Sequence, residues 1–344
     1  MKFSLLPKEV RGRNISYRPE LDGIRAISIV IVIMHHIGYL HGRGFLGVDV
    51  FFTLSGFLIT QILMKYFDEG TKIRKFYRRR LARLYPILLI GVASSVWFFD
   101  KKGLTQDIKP AIASVLYVKN FYHWGDLTGP FWSLSAEEQF YLFFPILLIL
   151  FHKYLSRRIF TGFLIFAIAA IWAGVLYINY PIYVWNKDGI YNLVVFRPSM
   201  ILLGCLVALN KEFLIRLTVR ARWVFMAIFL ASLYLCITIQ FPGFAAIGTA
   251  SAILLLSEEV AQKSVAMRFF RAVLGFKPLA WIGVLSYSIY IWHMPIILFL
   301  TSNWSHGLPS LWLFAAWVLG AAIASFYLIE APLQRLLSGS VRKN

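Results

Sequence analysis

The chain has 344 residues, of which 59% are hydrophobic and only 15% charged, and its formal net charge is +19. So little polar surface cannot coat a soluble globule of this size, and a bilayer is the solvent that fits such a composition. The basic residues are dispersed among short segments beside apolar stretches, with no separate basic domain, so nucleic-acid binding is a poor explanation of the charge.

In chain order, residues 1–23 form a charged N-terminal segment without the apolar core and small-residue cleavage site of a signal peptide. Ten runs of mainly apolar residues follow, at 24–41, 45–66, 84–99, 133–152, 159–178, 193–209, 223–240, 244–262, 279–300 and 311–331. Most reach the roughly 17 to 22 residues needed to cross hydrocarbon. A shorter apolar stretch at 110–118 predicts an interfacial or extra helix, and 332–344 form a tail. The expected fold is all-α: a polytopic transmembrane helix bundle of about ten spans at 24–331, one membrane domain filling 1–344. Of the 35 Lys and Arg, 26 fall before the first span, in alternate loops or in the tail, while six fall in the opposite loops and Arg25, Lys65 and Arg197 lie within spans, Lys65 at the inner end of its span. This asymmetry predicts that both termini are cytoplasmic. Cys205 and Cys236 lie in apolar spans without Cys-x-x-Cys spacing, which predicts packing and gives no sign of a metal site.

Ionisable residues inside spans are costly to bury, so each is a candidate for function. Arg25 and His36 are eleven residues apart in the first span, about three helical turns, and so share one helix face. The short turn from His41 to Gly44 sends the second span back beside the first, which predicts that His36 and Asp49 lie at similar depth. A carboxylate there can fix one imidazole nitrogen and leave the other as a base; a pair held together for packing alone is the competing reading. His35, about 100° away on the helix, is expected to be structural.

The fourth span opens with Pro130-Phe131-Trp132-Ser133-Leu134-Ser135-Ala136-Glu137-Glu138 at the outward end. Ser135 and Glu138 have capping-box spacing, which assigns Glu138 to a helix N-terminus and leaves Glu137 for the site. On the inward side, the run from Arg74 to Pro86, with Arg78, Arg79, Arg80, Arg83 and Tyr85, suits anionic headgroups or a phosphorylated cytosolic ligand. Ser286, Tyr290 and His293 fall at i, i+4 and i+7 on one face of a late span, as interhelical glue or as a site lining. Arg197, before Pro198, is a candidate partner for an acidic group, and Glu330, at the inner end of the last span, is expected to meet water.

These blocks, in this order, resemble bacterial acyltransferase family 3, the multispanning O-acyltransferases of cell-surface glycans and some small molecules. The likeness runs from Tyr17 through Ala26 to His36, then Gly44 to Ile59 including Ser55, the arginine run ending at Pro86, Trp132 to Tyr141, Ser286 to His293, and Glu330-Ala331-Pro332. Any one block is weak; six in register are specific. The family's Arg-ten residues-His motif falls on Arg25 and His36, and its Arg-x-x-Arg motif on Arg80 and Arg83. The resemblance implies that acyl-CoA, most simply acetyl-CoA, enters from the cytoplasm as co-substrate, with no tightly bound cofactor. Its acyl group would end on a hydroxyl of a glycan or lipid-linked saccharide at the bacterial inner membrane. About a dozen residues follow Pro332, short of the hydrolase-like domain of longer members, so transfer is expected to be completed in the membrane domain or passed to a separate protein.

Esterification of a hydroxyl needs a positioned base, worth roughly 10²–10⁴-fold. His36 is the candidate, with Asp49 or Glu137 fixing its tautomer and Arg25 contacting the pantetheine-pyrophosphate region or steadying the first helix. Arg78, Arg79, Arg80, Arg83 and Tyr85 would hold the cofactor, and Ser55, Trp132, Tyr290, His293 and Arg197 line the acceptor side. Two rival functions use the same polar residues: acylation of a small molecule such as an antibiotic, and transport or flipping of a lipid-linked or charged metabolite.

Overall fold

The structure, a computed structural model, describes residues 17–40, 44–71, 73–100, 108–121, 128–179, 197–238, 243–303 and 310–338. The N-terminal segment before Tyr17, the turn His41 to Arg43, part of the runs at 193–209 and 223–240, and the end of the tail lie outside them. Among the described residues every regular element is helical. In order these are α1 (Pro19–His36), α2 (Phe45–Asp68), α3 (Ile73–Asp100), α4 (Lys109–Val115), α5 (Trp132–Tyr154), α6 (Arg157–Asn179), α7 (Pro198–Leu209), α8 (Lys211–Arg220), α9 (Arg222–Thr238), α10 (Phe244–Leu255), α11 (Glu258–Ala261), α12 (Val265–Leu274), α13 (Lys277–Asn303), α14 (Leu311–Ser325) and α15 (Ala331–Ser338), with short 3-10 turns at Lys119–Phe121 and Gly129–Phe131 and a π-helical segment at Phe326–Glu330.

Six described helices are long and apolar enough to cross a membrane: Leu46–Asp68, Ile73–Phe98, Gly129–Phe151, Arg157–Gly174, Lys277–Thr301 and Leu311–Leu336. They correspond to six of the ten apolar runs. The other four are also helical over most of their described length, but each departs from a simple span. α1 carries Glu20, Asp22 and Arg25 among its 18 residues. α7 and α10 have 12 residues each, roughly 18 Å of helix against a hydrocarbon core of about 30 Å. α8 and α9 bend by 101° at Ala221, and count as a seventh span only if taken together.

The described helices gather into two compact units, one of Met1–Tyr17, Asp68–Ser135 and Trp281–Asn344, the other of Arg18–Phe67 and Ala136–Ala280. The second unit is built on close backbone crossings. Gly47 of α2 faces the Ser28 carbonyl and the Val32 side chain of α1, and a Cβ there would overlap both. Further along, Gly56 of α2 faces the Ile201 carbonyl of α7, while Gly204 of α7 faces the Thr53 carbonyl of α2. Such small-residue crossings hold helices together in lipid, where burying apolar side chains gives little advantage over leaving them among acyl chains. Leu21, Leu54, Phe57, Val207, Ile253 and Leu254 pack around them.

An ionic cluster fixes the start of α1. Glu20 is fully buried; Arg18 Nε lies 2.7 Å and Arg271 Nε of α12 3.5 Å from its Oε1, and Arg18 also donates to the Ile253 carbonyl at 3.0 Å.

In the first unit, α3 packs against the π segment and α15. Tyr287 of α13 donates to the Leu84 carbonyl of α3 at 2.6 Å. Trp292 of α13 donates to Ser325 at the end of α14 at 3.1 Å. The π segment places Glu330 inside the unit, where it is 1% exposed and accepts a hydrogen bond from Ser288. The expectation that Glu330 meets water is therefore corrected: the wider π turn rotates its carboxylate inward, toward Ser288 and the positive charge of Arg83.

Candidate functional site

His36 is the last residue of α1 and is half-buried. Its Nδ1 lies 2.8 Å from the Val32 carbonyl, one turn back on the same helix. A carbonyl only accepts, so Nδ1 carries a proton, and in the neutral ring the lone pair is on Nε2. His35 is held separately, with its Nδ1 3.1 Å from the Leu40 carbonyl. Arg25, three turns down α1, lies 3.8 Å from Asp22 of its own helix.

The expected pairing of His36 with Asp49 is not the one formed. α1 stops at His36 instead of running to residue 41, and α2 crosses it with Gly47 against Ser28 and Val32. At 1.5 Å per residue, that crossing puts Asp49 roughly 10 Å back along α1 from His36, toward the start of the helix. The Asp49 carboxylate instead pairs with the Arg197 guanidinium, which donates to Oδ1. Both side chains are buried. The Val32 carbonyl does for the imidazole what Asp49 was expected to do, fixing its tautomer without a carboxylate.

Glu137, half-buried on α5, accepts hydrogen bonds at Oε1 from the Ser55 hydroxyl of α2 and from the Tyr141 hydroxyl one turn along, the latter at 2.7 Å. The capping-box assignment of Glu138 is corrected, because α5 begins four residues earlier than that spacing requires, at Trp132 after the Gly129–Phe131 turn. Ser135 therefore lies within the helix. Its hydroxyl donates to the Phe131 carbonyl at 3.2 Å and accepts from the Lys119 backbone N–H at 3.1 Å. On a different face of α5, Ala136, Phe140, Phe144 and Leu147 form with Pro198 and Leu202 of α7 an open apolar cavity of about 510 Å³.

The remaining predicted residues belong to the first unit. Arg78 and Arg79 are exposed on α3, whereas Arg80, Arg83 and Tyr85 are half-buried. The Tyr85 ring lies 6.1 Å from that of Tyr117. Trp132 opens α5 and is half-buried. The Tyr290 hydroxyl donates to the Pro130 carbonyl and lies 2.7 Å from the Ser133 hydroxyl. His293 is fully buried, with Nδ1 turned to the Tyr290 carbonyl. The buried Ser286 hydroxyl has no hydrogen-bond partner among the described residues.

Several residues of these networks escaped the sequence reading. Tyr141, four residues from Glu137, had a usable signal in its helical spacing. Ser288 and the Arg18–Glu20–Arg271 cluster had none, since their partners are distant in sequence.

A family model for the acyltransferase domain, that of acyltransferase family 3, matches residues 18–330. The chain belongs to this family. Acyltransferase family 3 thus runs continuously through both compact units. Among curated proteins, the chain is similar to the O-acetyltransferase OatA of Staphylococcus aureus, 31% identical over 93% of this chain and 57% of that protein. It is likewise similar to the peptidoglycan O-acetyltransferase OatA of Listeria monocytogenes, 30% identical over 93% of this chain and 56% of the other. The chain therefore spans little more than half the length of the curated relatives it matches. No solved structure matches it.

Proposed function

We infer that this protein is a membrane O-acyltransferase that moves an acyl group, most simply acetyl, from cytosolic acyl-CoA to a hydroxyl of a cell-surface glycan or its lipid-linked precursor. The observation that carries the reading is the family match over residues 18–330, which takes in every site residue described above. The relatives' names support acetyl as the group, and the Listeria relative's name supports a glycan acceptor. In this reading one membrane domain of about ten spans lies in a bacterial inner membrane with both termini in the cytoplasm, as the loop charges favour.

His36 is the general base. Its Nδ1–H on the Val32 carbonyl leaves Nε2 to take the proton of the acceptor hydroxyl. Arg80 and Arg83, with Arg78, Arg79 and Tyr85, hold the CoA phosphates and adenine from the cytosolic side. The apolar cavity on α5 and α7 favours a lipid-linked acceptor, because a hydrocarbon chain fits its Phe and Leu lining. The test is CoA release by purified protein supplied with acetyl-CoA and a glycan acceptor. His36→Ala is expected to abolish release while leaving thermal unfolding unchanged, and unchanged turnover in that variant would reject His36 as the base. Acetyl-CoA left unconsumed by the wild type would reject the acyltransferase reading and favour transport.

A further inference from the structure

Hydroxyl side chains in apolar helices usually turn back on their own backbone, donating to the carbonyl one turn earlier. Thr53, Thr60, Ser95, Ser114 and Thr249 all do so here, at 2.7–3.0 Å. Ser55 does not. Its hydroxyl leaves α2 and donates to Glu137 Oε1 on α5, and Tyr141 donates to the same oxygen at 2.7 Å and fixes it. Ser288 also donates to a carboxylate, but that pair is sealed, with Ser288 and Glu330 each 1% exposed. Ser55 and Glu137 are both half-buried and so can be reached by a substrate. A hydroxyl donating to a base that a third group orients is the arrangement of an activated nucleophile.

We propose that Ser55 carries the acyl group as an ester between donor and acceptor, with Glu137 as its base and Tyr141 as the positioning residue. The proposal rests on the O-acyltransferase reading and adds the covalent step. In the first half-reaction Ser55 Oγ attacks the thioester carbonyl while its proton passes to Glu137. The carbon–sulfur bond breaks, and the departing thiolate takes that proton to leave as CoA thiol. In the second half-reaction the acceptor hydroxyl attacks the Ser55 ester and gives up its proton to Glu137, which here takes the role of acceptor base given above to His36. The carbon–Oγ bond breaks and Ser55 regains a proton. A thioester and an alcohol become an ester and a thiol, with no change of oxidation state.

The experiment mixes the purified full chain with acetyl-CoA, first without acceptor and then with a glycan acceptor. Without acceptor, one equivalent of CoA is expected to be released in a burst, and peptide mapping is expected to find one hydroxylamine-sensitive acetyl group on Ser55. Ser55→Ala loses both burst and label. Glu137→Gln slows the burst roughly 10²–10⁴-fold. CoA release that requires the acceptor and leaves Ser55 unlabelled overturns the covalent step while keeping the transferase reading. So does Ser55→Ala turnover within twofold of wild type. A wild type that releases no CoA even with acceptor overturns the reading and the proposal with it.

Discussion

Arg197 and Asp49 are 148 residues apart in sequence, yet the guanidinium donates to the carboxylate with the two side chains only 2% and 0% exposed. Removing one partner would leave the other charge buried without its counter-ion, a loss of about 3–5 kcal/mol. Asp49→Asn and Arg197→Gln are each expected to lower the thermal unfolding temperature in detergent. The double variant Asp49→Leu, Arg197→Met is expected to recover most of the loss, because it removes both charges. A double variant no more stable than either single one would show that the pair does not act as a unit.

The α2–α7 crossing tolerates no side chain. Gly56→Val and Gly204→Val each drive a Cβ into a facing carbonyl, at Ile201 and Thr53 respectively, and both are expected to abolish recovery of folded protein from membranes. Gly162→Ala, with nothing within 4 Å of the added methyl, serves as the matched control. Normal expression and unfolding of Gly56→Val would mean that the two helices separate without loss.

The two arginines of the Arg-x-x-Arg motif are expected to separate in their effects. Arg80→Ala should raise KM for acyl-CoA with little change in kcat or stability, as the loss of a phosphate contact requires. Arg83→Ala should do the same and also destabilise, since Arg83 is the cation acting on buried Glu330. Steady-state kinetics beside unfolding curves measure both. A pure kcat defect in Arg80→Ala argues against phosphate binding.

Tyr141→Phe removes one of the two hydroxyl donors on Glu137 Oε1. One hydrogen bond of this kind is worth about 0.5–1.5 kcal/mol, so kcat is expected to fall roughly 2–10-fold with KM little changed. A KM effect alone would place Tyr141 in substrate binding.

The helices were legible because an apolar run long enough to cross hydrocarbon is an unambiguous signal, and all ten runs are helical over most of their described length. Depth was less legible. Placing Asp49 level with His36 assumed that α1 continued to the turn, and the contact of Gly47 with Ser28 and Val32 that fixes the true offset depends on tertiary packing. The Ser135–Glu138 spacing misled for a related reason: the Gly129–Phe131 turn already starts the helix, and nothing local reveals that. Partner choice was least legible. Arg197 reads from the sequence as no more than a candidate partner for an acid, and spacing cannot select Asp49 across 148 positions, or join Ser55 to Glu137 across 82.

The crossing of α2 and α7 also limits how this unit can breathe. With Gly56 and Gly204 each set against the other helix's main chain, the pair cannot slide or rotate without collision, and so behaves as a fixed keel. α5 meets α2 differently at Ser55 and Glu137, through side chains that can exchange one hydrogen-bond partner for another. Under the proposed mechanism, admission of a substrate to that carboxylate is therefore a matter of side-chain rotation on α5, with the glycine-locked helices standing still.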